Sequence, residues 1–140
     1  MEERLGAIRK SRHKRHYVPF IAAIVVFLAL EFGLHWKTMT STIAGLAVCA
    51  LVLAYLRRDL ILLMLVSASS FTVLYFVLFL VVLAFYPEFV RRYYNLPNLL
   101  GIYVRGVPIE EVLFAATGGA VWSVAYEYVY GYRLERAGAI

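Results

Sequence analysis

Residues 60–87 carry no charged side chain and are almost entirely aliphatic or aromatic. A chain of 140 residues has too little other surface to cover such a run. Hydrocarbon is the solvent that satisfies it, and there the backbone must close its own hydrogen bonds as a helix. Three more apolar segments accompany it, Tyr17–Leu34, Ser41–Leu56 and Pro108–Gly131. The expected fold is therefore an all-α integral membrane protein, a bundle of about four transmembrane helices of roughly 20 residues each, with N- and C-termini cytoplasmic. Composition agrees. The chain is 63% hydrophobic and 16% charged, where soluble domains are about half apolar and a quarter charged. A basic arm (1–16), one helical membrane domain (17–132) and a short tail (133–140) account for the chain, with no room for a soluble domain.

The net charge of +5 does not mark a nucleic-acid binder. Arg4, Arg9, Lys10, Arg12, Lys14 and Arg15 crowd just before the first apolar segment, where basic residues set orientation and meet anionic lipid. With that arm inside, Arg57, Arg58, Arg133 and Arg136 join it, against Lys37, Arg91, Arg92 and Arg105 outside. This asymmetry places both ends on the cytoplasmic side. The first apolar stretch is long for a signal peptide and lacks a small-residue cleavage site, so it reads as a retained span. Cys49 stands alone in an apolar run and reads as a small hydrophobe. The connection 87–107, rich in tyrosine and arginine, reads as an interfacial or re-entrant loop.

Pro108-Ile109-Glu110-Glu111 opens the last span. Proline suits the first helical position, and a carboxylate in the first turn is favoured by the helix dipole. That explains one glutamate more easily than two, since neighbours in a helix diverge by about 100°. In a tight bundle at least one faces protein. Apolar surroundings and a like charge would then favour one protonated and one ionised carboxyl, while the dipole opposes this. Arg105, three residues before the proline, would favour the ionised forms.

Other candidates surround the pair. Glu31 shares its expected depth and, as a hydrogen-bond partner or second acid, would support it. His35 lies four residues on, but a metal site would need ligand spacings the chain lacks, so no metal or cofactor is expected. Ala115-Ala116-Thr117-Gly118-Gly119-Ala120 permits close helix packing or leaves a slot for a flat apolar ligand. Tyr75 and Phe79 on the third span, with Phe114, Thr117 and Trp122 on the fourth, are candidate walls of such a slot, and aromatic faces there would stabilise a cation. Glu127 is about 24 Å along the helix from Glu111 and reads as structural, near Arg57, Arg58 or Arg133. Signatures of redox, phosphoryl-transfer and zinc-hydrolase chemistry are missing.

The stretch Gly106-Val107-Pro108-Ile109-Glu110-Glu111-Val112-Leu113-Phe114 resembles the Pro-x-Glu-Glu-x-x-Phe signature of lycopene cyclase domains, the small membrane domains of heterodimeric and fused carotenoid cyclases. The resemblance implies redox-neutral cyclisation of a linear carotenoid or isoprenoid. A carboxylic acid protonates a terminal alkene, the cation closes a ring, and a base removes a proton, with Glu110 and Glu111 in those roles. It also implies paired domains, hence a homo-oligomer or a heteromer with another membrane chain. Two rivals remain. One is a non-catalytic small membrane subunit, or isoprenoid- or lipid-binding assembly protein, whose glutamates contact a partner. The other is a glutamate intramembrane protease, which needs histidines on later helices where this chain has none after His35.

Overall fold

The structure, a computed structural model, describes residues 16–131. The basic arm and the tail with Arg133 and Arg136 lie outside the described residues. Helix α1 (Val18–Leu28) carries Pro19 in its first turn and runs into one π-helical turn, Ala29–Gly33. Helix α2 (Thr38–Leu56) begins three residues before its expected start, because Lys37 is extended and the hydroxyls of Ser41 and Thr42 bond back to the carbonyls of Lys37 and Thr38. A 3₁₀ turn, Arg58–Leu60, leads into α3 (Ile61–Phe85). A short α4 (Phe89–Tyr93), a 3₁₀ turn (Leu96–Asn98) and a hairpin of β1 (Tyr103–Val104) and β2 (Val107–Pro108) then precede α5 (Ile109–Tyr130).

The segment read as an interfacial or re-entrant loop carries this short helix, turn and hairpin, which together form a cap. Pro108 is not the first helical residue. It ends β2 opposite Tyr103, and the Ile109 amide donates to the Ile102 carbonyl at 2.9 Å. Strand pairing sets where α5 begins. Gly131 (φ 72°) ends it in the left-handed conformation usual for a helix C-cap.

The helices lie in the order α1–α2–α5–α3, and α1 and α3 make no extensive contact that would close the row. The last helix is therefore seated between the second and third. Its buried residues Glu111, Ala115, Gly118, Val121, Val124 and Tyr128 recur every three or four positions and form one face, with Glu110 buried next to it. Two apolar cores result. Cys49, Leu53, Leu60, Met64, Val121, Val124 and Tyr128 fill the end near Arg57. Phe79, Val90, Leu99 and Val107 bind the cap to α3, with Val112 of α5 packed against them. At the Arg57 end the guanidinium is buried against Asp59, with both nitrogen–oxygen pairs below 3 Å. Those hydrogen bonds, with weaker contributions that include Glu127, hold it above its ordinary pKa.

Gly119 sets the α3–α5 spacing. A Cβ there would stand 3.0 Å from Phe71 Cβ and 3.2 Å from the Ser67 carbonyl oxygen.

Two helices, Thr38–Leu56 and Arg58–Phe85, are long and apolar enough to cross a membrane. The apolar helix Val18–Gly33 is shorter, and α5 spends Glu110, Glu111 and Glu127 where a span would carry apolar residues. Only 6% of the apolar stretch of α3 is buried by the rest of the chain. That surface needs lipid or another apolar partner.

Candidate functional site

The site is built where α5 begins under the cap. Glu110 is 0% and Glu111 4% exposed, although both occupy the first turn of the helix. The cap explains this. Its Leu99 and Val107 are buried against α3, which draws the backbone of 99–100 across the head of α5. The Leu100 amide donates to Glu110 Oε1. The preceding carbonyl, of Leu99, accepts from Lys37 Nζ on the α1–α2 connection. One peptide segment is thus held on both sides, by a carboxylate of α5 and an ammonium of the turn before α2. Glu110 Oε2 is buried and has no hydrogen-bond partner among the described residues.

Glu111 points to α3. Tyr75 donates its phenol to Glu111 Oε2 at 2.6 Å, the short length expected of a charge-assisted bond. Tyr94, from the cap, faces the same carboxylate. Burial first, and then Glu111, push the Tyr94 phenol above its ordinary range. The adjacent glutamates are therefore not equivalent, one tied to a backbone amide and the other to phenols.

Below the pair an open-sided hollow of about 540 Å³ runs between α3 and α5, a size typical of small-molecule sites. Phe71 and Phe114 form its upper end, four residues from Tyr75 and three from Glu111. Gly118 and Trp122 continue it, and Trp122 is 77% exposed. Neither carboxylate lines this hollow.

The remaining sequence candidates disperse. Thr117 faces a different hollow, shared with α2 and α3, and its hydroxyl bonds back to Leu113. Phe79 is buried in the cap core. Glu31 accepts from Thr38 Oγ1 at 2.8 Å, not from the pair. The π turn and the left-handed His35 (φ 53°) also undo the four-residue spacing that would have put Glu31 and His35 on one face. Arg105 is exposed and lines a hollow with Arg91, with no ion pair to either glutamate among the described residues. Among the described residues no three His, Cys, Asp or Glu side chains form a metal site.

Sequence reasoning missed Tyr94, Lys37 and the Leu100 amide as partners. Only Tyr75 had a readable signal: a phenol within a charge-free helix must find an acceptor when it is buried.

The family model described as Lycopene cyclase matches residues 35–129, well over half of the chain, including both glutamates, Tyr75 and the whole cap. The chain belongs to the lycopene cyclase family. That membership points to a carotenoid-cyclase-like role and ties the chain to carotenoid biosynthesis. No curated protein and no solved structure matches the chain. The match begins at His35, so it takes in α2, α3, the cap and nearly all of α5, and leaves out α1. The matched span includes every partner described above for the glutamates, Tyr75, Tyr94 and Leu100, together with Lys37.

Proposed function

We propose that the chain cyclises the end of a linear carotenoid or related isoprenoid by carboxyl-mediated proton transfer, without net redox change. The observation that carries this reading is the buried Glu110–Glu111 pair at the head of a helix flanked by an apolar hollow. Glu110, with one oxygen unpartnered, is the proton donor to the terminal alkene. Bond formation between the resulting cation and a second alkene closes the ring. Loss of a proton to Glu111, already fixed as an acceptor by Tyr75, completes the reaction. The proton gained equals the proton lost. Phe71 and Phe114 lie about one turn below Tyr75 and Glu111, and an aromatic face within about 6 Å of a cation contributes about 0.5–2 kcal/mol. A long polyene enters from the bilayer through the open side of the hollow. It reaches Glu110 when the Leu99–Leu100 segment lifts from the carboxylate.

The same reading makes α1 with its π turn, α2, α3 and α5 membrane spans with both ends cytoplasmic, in a bacterial or archaeal inner membrane. The uncovered face of α3 is where a second copy or another membrane chain would pack. That open surface also favours the alternative, a non-catalytic subunit that binds isoprenoid or lipid for a partner.

Expression in a bacterial host that accumulates lycopene, followed by chromatography of the pigments, tests the proposal. Monocyclic or bicyclic products are expected. An unchanged pigment profile with folded protein in the membrane would favour the subunit reading. Tyr75→Phe should lower kcat about tenfold, the worth of one hydrogen bond to a charged group, with KM little changed. A rise in KM alone would instead make Tyr75 a substrate contact.

A further inference from the structure

The cap carries a second feature, independent of the glutamates. Its hairpin joins Val104 to Val107 through the two residues Arg105 and Gly106, both with positive φ (51° and 87°). Two such residues in a two-residue loop make a type I′ turn, whose first position favours Asn, Asp or Gly. A long side chain there is held in a sparsely populated conformation, and strain of this kind gathers at functional sites. The turn thus forgoes its best residue for a guanidinium.

That guanidinium lines a hollow of about 450 Å³ at the end of α3. Arg91 of α4 lines it as well, with Tyr103 beside them and Leu83, Val90 and Leu96 as apolar wall. Arg105 has no acidic partner among the described residues. Arg91 has only the exposed Glu88, at 3.6 Å, and such a pair contributes little. Two weakly neutralised cations beside an aliphatic wall complement an anionic head joined to an apolar body. The place also fits, since α3 ends at Phe85 and the cap covers the same end of the helices.

We propose that the hollow between Arg91 and Arg105 seats the phosphate headgroup of an anionic membrane phospholipid, with its apolar part along Leu83, Val90 and Leu96. The site needs neither glutamate and does not depend on the cyclase reading. Interfacial arginines favour anionic lipid through charge, and two of them on one hollow make the binding local rather than diffuse.

Native mass spectrometry of the full chain in detergent tests this, with phosphatidylglycerol and phosphatidylcholine of matched acyl chains as probes. The expected result is preferential retention of phosphatidylglycerol, reduced about fivefold by each of Arg91→Gln and Arg105→Asn. Arg105→Asn is the decisive variant, because Asn suits the turn: thermal stability should hold or rise while lipid retention falls. Arg92→Gln, the same charge change one residue away but not lining the hollow, should leave retention unchanged. Equal retention of both lipids, or equal losses from Arg92→Gln and Arg91→Gln, would overturn the site. Displacement of phosphatidylglycerol by millimolar inorganic phosphate would overturn the lipid assignment in favour of free phosphate.

Discussion

Glu110→Gln is expected to abolish ring formation in the lycopene-accumulating host, with product falling by about 10²–10⁴-fold, the usual contribution of a positioned proton donor. The substitution is close to isosteric. Gln keeps a carbonyl oxygen to accept the Leu100 amide, so the cap should stay closed and the protein should reach the membrane in normal amount. What it loses is the transferable proton on the unpartnered oxygen. Glu111→Gln should also abolish the product, by a different route. Gln still accepts from Tyr75 through its carbonyl oxygen, but an amide takes up a proton poorly, so the cation has no base. Pigment chromatography with the protein quantified in the membrane fraction checks both. If either variant keeps more than a tenth of the product, that residue is not the acid or base proposed. If both do, the pair starts and anchors the helix and nothing more.

Gly119→Leu should cause a large loss of stability. The hypothetical Cβ already approaches Phe71 Cβ at 3.0 Å, Ala68 Cα at 3.2 Å and the Ser67 carbonyl oxygen at 3.2 Å. Two of those are backbone atoms and cannot swing aside. Added methylene groups must push α3 away from α5, at a cost of about 1–3 kcal/mol or more for overpacking. The expected readout is a lower thermal midpoint in detergent. Tyr75 is also drawn away from Glu111, so remaining activity should fall further than the protein level does. Gly118→Ala is the matched control. No atom stands within 4 Å of a Cβ at Gly118, so that variant should keep its stability. Equal midpoints for Gly119→Leu and wild type would mean that α3 and α5 are not held at this distance.

The helices are largely legible in the sequence, because a charge-free run such as 60–87 admits one backbone solution in an apolar solvent. The ends of α3 and α5 fell within a residue or so of their expected places, set by Asp59, Pro108 and Gly131. The start of α2 was less legible, since Thr38, Met39 and Thr40 read as a polar turn. The connection 87–107 was legible as an interfacial or re-entrant loop, but its elements were not. Its hairpin has Arg-Gly in the turn and strands of two residues, too short for a recognisable period.

The candidate site divides the same way. Adjacent carboxylates at the head of an apolar helix are visible in the sequence, because a charged pair in such a place is rare and costly. The contacts that make them inequivalent are not, since the inequivalence rests on distant partners. It depends on Tyr75, thirty-six residues from Glu111, and on a backbone amide at Leu100 that has no side-chain identity to read. By itself, the sequence determined the helical class, the run of apolar segments and the position of the glutamates, since each depends on local composition and hydrophobicity. Only the tertiary structure decided that α5 lies between α2 and α3, that the cap buries both carboxylates, and that Arg105 turns away from them towards Arg91. Those outcomes come from packing between distant segments, where shape and hydrogen-bond geometry choose among arrangements the same local sequence permits equally.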